Sequence, residues 1–541
     1  MRTRSVIWFG GLAGILLTGP LTAIAYLASQ FTPLSFPPFD FFDSMTRLLP
    51  GPLITFGIDF MIDTLRALGL SVVDTAKIAE QLMAVSIFVT GGTLAAILFF
   101  LIVRRRLVSQ YLALGLIAGL VLSVPLIAAV VMKETTQAPV VLQLLWVIFI
   151  SILWGAGLGY FARRILSSEK GDEIADEQLF KLKVLQLDRR RFLIQAGTTA
   201  AAITVVGTGL ALNQRRRIRS LLDRGYSELG LLPSALPNAN DPIVPVPGTR
   251  QEYTPIGDHY MVFIQTEPSV VDADTWNLPI TGLVDNPLSL TLEDLRGRYE
   301  PMDQFVTLSC ISGRVGTSLI GTTLWTGASL QDVLAEAGLQ TGAKYLRLQS
   351  ADGFYETVAL DLIAADRRIM LTYDWDRQPL TDGHGFPLRI YIPDRYGMKQ
   401  PRWITSIEVI EEYVDGYWVE RGWDADAIMQ TTSVIDTVAT EVLIGSGDEM
   451  SVPIGGIAHA GARGISKVEV RVDGGGWVEA ELRSPLSDLT WVIWRFEWPY
   501  QAGDHLFEVR CAEADGTPQI EEARTSRPSG SRGIHTVEET I

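Results

Sequence analysis

A chain of 541 residues is too long for one domain, and its formal net charge of −16 argues against nucleic acid as a partner. The charge is uneven, because residues 1–220 contain 21 Lys and Arg against 13 Asp and Glu, whereas the remainder contains 24 against 48. A mean hydropathy of +0.22 points to membrane segments, and the two cysteines exclude a disulfide framework.

Residues 1–212 are predicted to form an α-helical membrane region with five spans. Each span is an apolar run of about the length that crosses a bilayer, and the runs are 6–28, 82–103, 111–132, 140–161 and 192–212. Residues 29–50 are expected to form a Pro- and Phe-rich loop. Residues 52–70 carry Asp59, Asp63 and Arg66, which favours an amphipathic helix lying at the outer interface.

Arginine clusters predict the orientation of the spans. The clusters at 104–106 and 163–164 fall on the same side as the N-terminus, which places that side in the cytoplasm. Arg189 and Arg190, followed by Phe192 and Leu193, resemble a twin-arginine export signal; a simple positive-inside flank is the alternative. The twin-arginine reading implies a prokaryotic plasma membrane, with everything from about residue 213 exported folded and held by an uncleaved anchor. This topology places the arginines at 215–219 outside the cytoplasm, which contradicts the rule that positive charges flank spans on the cytoplasmic side.

All five histidines lie at or after His259, so the membrane region has no axial ligands for a b-type haem. No C-x-x-C-H motif is present for a c-type haem either, and no haem is predicted. Residues 213–250 are predicted to be a linker that leads into a Pro-rich arm at 233–256.

The next segment, residues 251–430, contains three informative strings. The first runs from Trp276 to Leu295 and has the pattern of an entry strand. The second has a buried strand at 305–308, Cys310 at its end, a Gly-rich loop, and then a helix around residues 330–334. A small buried core cysteine or a Cys310–Cys511 disulfide are the alternatives for this thiol. The third string, 382–409, includes His384, Arg389 and Arg402 before an alternating strand.

These strings resemble the sulfite oxidase family of molybdopterin oxidoreductases over roughly residues 255–520. The resemblance rests on Trp276, Leu278, Gly282, Val284, Pro287, Leu290, Asp294 and Leu295; on Thr307, Leu308, Cys310, Trp325, Gly327, Leu330, Asp332 and Leu334; and on His384, Gly385, Pro387, Arg389, Pro393, Gly397, Arg402 and Trp403. It implies an α+β molybdopterin domain at 251–430 in which the Cys310 thiolate ligates molybdenum. A soft thiolate suits a metal that changes oxidation state.

The resemblance also implies which residues hold the cofactor. They are Tyr260, Met261, Cys310, Ser350, His384, Arg389, Gln400, Pro401 and Arg402. The guanidinium groups of Arg389 and Arg402 suit phosphate oxygens. Some of these assignments have alternatives. Tyr260 could pack in the core, Ser350 could belong to a turn, and the two arginines could lie on the surface of a sheet. Gly257 stands where the sulfoxide-reductase branch has Asn.

The chain departs from the family near the metal. Gly313 replaces the usual Asn, and Arg314 is single where sulfite oxidases have paired arginines. Arg314 and Lys399 are predicted to contact the substrate and to form a cationic mouth, which favours oxidation of a sulfite-like oxyanion. A sulfoxide-type reductase, or a scaffold that has lost its cofactor, are the alternatives. The resemblance implies a separate electron-transfer protein as partner, beside the membrane and a small-molecule substrate.

The C-terminal region, 438–525, contains short alternating strands separated by Gly turns, which predict a β-sandwich. Its string around residues 465–477 resembles the family's Ig-like dimerisation domain, which implies a possible homodimer. Residues 526–541 are predicted to be a disordered tail.

Overall fold

The computed structural model describes residues 3–68, 72–104, 110–133, 138–166, 191–214, 236–445 and 450–541. They form two compact units, residues 1–227 with 264–267, and residues 228–263 with 268–541. Residues 264–267 belong to the first unit, where the amide of Thr266 donates a 3.0 Å hydrogen bond to Oδ1 of Asp43.

The first unit is helical. Its helices are α1 (Thr3–Phe31), α2 (Pro37–Leu48), α3 (Gly51–Ala67), α4 (Val72–Val103), α5 (Tyr111–Val131), α6 (Val140–Leu166) and α7 (Arg191–Gln214). Five of the helices in the described ranges, α1 and α4 to α7, are long and apolar enough to cross a membrane, which confirms the five predicted runs. Gly115 and Gly119 of α5 face Gly155 and Gly159 of α6 so closely that a Cβ would overlap the opposing backbone.

Helix α2 corrects the prediction of a loop at 29–50. Pro37 and Pro38 occupy its first turn, where their missing N–H groups and fixed φ are compatible with a helix. Phe39 and Phe42 are buried against residues of α1 and α4. The prolines that suggested a loop therefore start a helix whose phenylalanines pack into the bundle.

The second unit begins with an α+β region. Its strands are β1 (Leu278–Gly282), β2 (Leu288–Leu290), β3 (Pro301–Ser309), β4 (Ile320–Ser329), β5 (Tyr345–Ser350), β6 (Tyr355–Ala359), β7 (Met370–Trp375), β8 (Gln378–Pro379), β9 (Arg389–Tyr391) and β10 (Ile404–Ile410), with helices α8 (Leu292–Arg298), α9 (Leu330–Ala337) and α10 (Leu360–Ala365). One sheet has the order β2-β1-β10-β5-β6; the other has the order β3-β4-β7-β8, with β9 paired to β7. A common core takes residues from both sheets and α9.

Strand β4 separates the Cys310 loop from α9, where the sequence predicted loop followed directly by helix. Of its ten residues, Ile320–Ser329, the first nine pair along the whole of β3. Nearly all ten are buried, so no polar–apolar alternation marks the strand. The glycines of β4 do not form a loop; they let neighbouring groups approach the strand closely. A Cβ on Gly327 would overlap Leu371 of β7, and a Cβ on Gly321 would overlap the ring of His259.

The C-terminal region consists of two antiparallel four-stranded sheets. The strands are β11 (Thr432–Val438), β12 (Ser451–His459), β13 (Ile465–Val472), β14 (Val478–Glu479), β15 (Glu481–Leu482), β16 (Val492–Pro499), β17 (Asp504–Glu513) and β18 (His535–Thr540). The sheets, β11-β12-β16-β15 and β14-β13-β17-β18, share a core that contains Trp494, Phe507 and Cys511. Both cysteines are free, so no Cys310–Cys511 disulfide exists. An Ig-like identity and a role in dimerisation stay predictions.

The prediction of a disordered tail at 526–541 is wrong. Strand β18 pairs with β17 from His535 to Thr540. Ser531 donates a 2.8 Å hydrogen bond to the carbonyl of Gly313 in the Cys310 loop. The composition of the tail is polar, which suggested disorder. The tail is nevertheless ordered, because β18 pairs with β17, and the composition of a segment does not show such a pairing.

Candidate functional site

Cys310 lies at the end of β3, at the start of the loop that joins β3 to β4. Its amide donates to the carbonyl of Leu319 (2.9 Å), and its Sγ lies 3.1 Å from Oγ of Ser312. Burial raises the pKa of the Cys310 thiol, while hydrogen bonds from Ser312 and the charge of Arg402 act in the opposite direction. A bound metal ion would deprotonate such a thiol outright, because its charge outweighs these local effects.

Two arginines meet in a β-bridge beside this loop. Arg389 on β9 is only 3% exposed, donates to the carbonyl of His384 (3.1 Å), and lies 4.3 Å over the ring of Trp325. Arg402 bridges to Arg389 and donates to the carbonyl of Gly383 (3.2 Å). Gly385, at φ +110°, lies between them, and a Cβ there would stand 2.9 Å from Cβ of Arg402.

Arg389 has no carboxylate partner in the part of the chain that the structure describes. Burial, reinforced by the charge of Arg402, lowers the pKa of Arg389 to about 9. Burying an unpaired guanidinium is costly unless an anion neutralises it. The pair of arginines therefore marks a site for an anionic group.

Two histidines lie against the arginines. His384 ends the short turn Asp382–His384; its Nδ1 lies 2.7 Å from Oγ1 of Thr381, and its ring lies 4.5 Å from that of Trp375. His259, which the sequence did not single out, stacks on Tyr260 at 5.0 Å. Burial lowers the pKa of His384 well below its usual range and that of His259 to about 3. Both rings are therefore neutral, and each can donate and accept.

Tyr260 and Met261 follow His259 and reach the same region. The hydroxyl of Tyr260 would lie 3.1 Å from a Cβ on Gly397, and burial, followed by the proximity of Cys310, raises the pKa of Tyr260. Met261 is exposed, and its Sδ lies against Gly383. The structure thus brings both predicted residues to the Cys310 and Arg402 segments.

Ser350, Gln400 and Pro401 complete the predicted cofactor set. Ser350 ends β5 opposite Ile404 of β10, close along the chain to Arg402. Gln400 is buried and donates to the carbonyl of Arg395 (2.8 Å). The carbonyl of Pro401 accepts from the amide of Ile390, next to Arg389 (3.1 Å). These bonds fix the backbone on either side of the two arginines.

Buried polar atoms without partners test whether this site fits the implied cofactor. Within the described ranges, Oγ of Ser350, Nε2 of His384, Nε of Arg389 and Oε1 of Gln400 are buried and have no hydrogen-bond partner of normal geometry. Each such atom destabilises the protein by about 1–3 kcal/mol unless a ligand satisfies it. A pterin phosphate supplies both hydrogen-bonding groups and negative charge, so the residues fit it.

In the described part of the chain, the metal-binding side chains near this site are few. No cluster of three or more His, Cys, Asp or Glu that could hold a metal ion occurs among the described residues. If a molybdenum cofactor is bound here, the thiolate of Cys310 is the soft ligand that this loop would offer to the metal.

The two predicted substrate residues behave differently. Arg314 is exposed in the Cys310 loop. Nζ of Lys399 lies 2.7 Å from Oε1 of Glu356 and 2.8 Å from the carbonyl of Thr357, with only 7% of its side chain exposed. The prediction that Lys399 contacts substrate is therefore wrong, because its charge is committed to a buried ion pair whose disruption would cost about 3–5 kcal/mol.

The C-terminal segment supports the Cys310 loop, a contact that the sequence did not predict. Besides the bond from Ser531 to Gly313, the ring of His535 packs against Gly316 at φ +84°. Arg250 of the linker donates to the carbonyl of Thr317 (3.3 Å). No local pattern signals these contacts, because the partners are separated by 60 to more than 200 positions in the sequence.

Comparisons with known proteins agree with this site. The family described as "Oxidoreductase molybdopterin binding domain" matches residues 265–418, a range that contains Cys310, Arg389 and Arg402. The chain is 32% identical over 158 residues to the uncharacterized oxidoreductase YuiH of Bacillus subtilis, covering 29% of this chain and 76% of YuiH. It is 28% identical over 244 residues to the putative protein-methionine-sulfoxide reductase subunit YedZ1 of Azospira oryzae, covering 45% and 88%.

A sulfite oxidase is also similar. The Arabidopsis thaliana enzyme is 27% identical over 259 residues, which cover 39% of this chain and 66% of that protein. The matched domain, the half-buried Cys310 thiol and Arg389, which has no carboxylate partner in the described ranges, are consistent with an oxidoreductase that uses a molybdopterin cofactor. This chain belongs to the sulfite oxidase family of molybdopterin oxidoreductases.

Proposed function

We propose that the protein is a membrane-anchored enzyme that transfers an oxygen atom to or from a small sulfur compound and exchanges electrons with a separate redox protein. The observation that carries this proposal is the Cys310 thiol beside the half-buried Arg402 and the buried Arg389, which has no carboxylate partner among the described residues. When bound, the molybdenum cofactor supplies a metal that changes oxidation state as an oxygen atom is gained or lost.

The residues of the chain bind and orient the cofactor in this proposal. Arg389 and Arg402 hold its anionic part by charge-assisted hydrogen bonds. The neutral ring of His384 uses its Nε2 for a polar edge of the pterin, and Thr381 at Nδ1 fixes the orientation of that ring. Burial of these groups excludes water, which strengthens each of the electrostatic contacts.

Oxidation of a sulfite-like oxyanion is the first candidate reaction. Arg314 supports it, because an exposed guanidinium four residues after Cys310 can attract a small anion to the Cys310 loop of an otherwise acidic protein. Because Lys399 is buried in an ion pair, Arg314 is the one of the two predicted substrate residues that is left to form the cationic mouth.

Reduction of a neutral sulfoxide is the second candidate. The ion pair between Lys399 and Glu356 favours it, since a mouth with one arginine does not require an anionic substrate. The relative named as a putative protein-methionine-sulfoxide reductase subunit also supports it.

Kinetics of Arg314→Met separate the two candidates. If sulfite is the substrate, KM for sulfite should rise roughly tenfold to a hundredfold, because a charge-assisted contact contributes about 1.5–3 kcal/mol. KM for a neutral sulfoxide should not change. The matched control is Arg377→Met, which removes an exposed arginine that pairs with Asp303 instead. An unchanged KM for sulfite in Arg314→Met would rule out the cationic mouth.

The orientation is a further part of the proposal. Arg189 and Arg190 lie outside the described residues; the support is their position just before α7 and the Phe-Leu pair that follows. We place the N-terminus in the cytoplasm and the catalytic unit outside it, at the plasma membrane of a prokaryote.

The double variant Arg189→Lys and Arg190→Lys tests the export route. It keeps the charge but removes the twin arginines, so the catalytic unit should remain in the cytoplasm, protected from protease added to spheroplasts. The control is Arg163→Lys with Arg164→Lys at the end of α6, which should leave export unchanged. Normal protease access in the first double variant would mean that the arginines only set topology.

A further inference from the structure

The helical unit encloses a cavity of about 100 Å³ between α1, α2, α4, α5 and α6. Its lining is apolar apart from three hydroxyl-bearing residues and the indole of Trp154, and none of the described residues that line it is charged. Gly91 lines the cavity and is also exposed, so the cavity reaches the surface of the helical unit. An apolar cavity of about 150 Å³ holds a benzene ring in another protein, so this smaller cavity has room for the edge of a ring while the remainder of the ring lies in the opening.

Two hydroxyls in the lining have unused hydrogen-bonding capacity. Thr22 of α1 is 8% exposed and Ser151 of α6 is 2% exposed, and neither Oγ has a hydrogen-bond partner among the described residues. The third hydroxyl, on Thr18, accepts from Nε1 of Trp154 (3.0 Å). The usual arrangement in an apolar helix is a bond back to the preceding turn.

Other hydroxyls of the same unit show that usual arrangement. Oγ of Ser123 donates to the carbonyl of Leu120 (2.7 Å), and Oγ1 of Thr204 donates to that of Ala200 (2.8 Å). Thr22 and Ser151 forgo this bond at buried positions that line one cavity from two different helices. Because unpartnered buried hydroxyls are destabilising, a ligand that accepts from them would be favoured.

We infer that this cavity binds the carbonyl-bearing edge of the ring or ester head of a neutral, lipid-soluble molecule. The apolar lining excludes a charged head, the opening at Gly91 gives access from the apolar exterior of the helices, and the two hydroxyls donate to the carbonyls. A prenylated quinone and the ester region of a bilayer lipid are the two sources of this chemistry. The inference does not depend on the molybdenum site.

Binding of decylubiquinone to the purified full chain in detergent tests this site, with decylbenzene as an oxygen-free probe. Quenching of tryptophan fluorescence should saturate at one decylubiquinone per chain, because Trp154 lines the cavity. The double variant Thr22→Val and Ser151→Ala should bind it about tenfold or more weakly while its affinity for decylbenzene, measured by competition, stays the same. The control, Ser123→Ala with Thr204→Val, removes hydroxyls that already have partners and should match the wild type.

A second pair of variants tests the cavity itself. Gly91→Leu adds a side chain where a Cβ meets open space, so it should fill the opening without disturbing the helices and abolish binding. Gly209→Leu, at an equally open position on α7, should bind normally. Mass spectrometry of molecules retained by the wild type and lost in Gly91→Leu then identifies a quinone or an ester lipid, and either supports the inference. Non-saturable quenching, or equal affinity in the wild type, the hydroxyl double variant and Gly91→Leu, would overturn it.

Discussion

Replacing Cys310 with serine is expected to reduce turnover at least about 100-fold while leaving the fold intact. A hydroxyl of similar size fits the same position beside Ser312, but it is neither soft nor readily deprotonated, so it is a poor ligand for a redox-active metal. Turnover, molybdenum content and the thermal unfolding temperature should be measured together.

Cys511→Ser is the matched control for this variant. Its thiol lies in the core shared by the two C-terminal sheets, 3.2 Å from Oε1 of Gln519. The change should alter stability at most, with molybdenum content and turnover per folded molecule unchanged. Wild-type turnover in Cys310→Ser would mean that the thiol is only a core residue.

Arg389→Met is expected to have opposite effects on the empty and the loaded protein. Without cofactor, the variant should be more stable by about 1–3 kcal/mol, because the buried guanidinium has no carboxylate partner among the described residues and its pKa is lowered to about 9. With cofactor, retention should fall roughly tenfold to a hundredfold, since a charge-assisted contact of about 1.5–3 kcal/mol is lost.

The measurements are unfolding of protein produced without molybdenum and the molybdenum content of protein produced with it. Arg377→Met, which removes an exposed arginine paired with Asp303, should change neither by a comparable amount. A less stable empty protein with normal molybdenum content would instead assign Arg389 a purely structural role.

Local sequence patterns were sufficient for the spans and for the core of the site. An apolar run of about 20 residues predicts a membrane helix wherever it occurs, because the bilayer core has a fixed thickness. The cysteine at the end of β3 and the segment from His384 to Arg402 were likewise recognisable, since most residues that the resemblance assigns to the cofactor lie within short continuous strings. The structure brings these strings together as the resemblance implied.

Long-range contacts account for the predictions that were wrong or missing. Lys399 reads as a free cation in its own loop, but its partner Glu356 lies 43 positions earlier in β6. Strand β18 and its support of the Cys310 loop depend on pairing with β17 and on Gly313. His259 gave one signal that was available from the sequence: it is the first histidine of the chain and directly precedes the predicted Tyr260.

The molybdenum and pterin content of the wild-type protein, purified from a molybdenum-replete host, tests the central claim most directly. The half-buried Cys310 thiol, the two arginines, and the atoms of Ser350 and Gln400 that have no partner among the described residues predict close to one molybdenum and one pterin per chain. Protein that is folded, by its unfolding transition, but contains neither would contradict the account and would favour a membrane scaffold that keeps the fold without the cofactor.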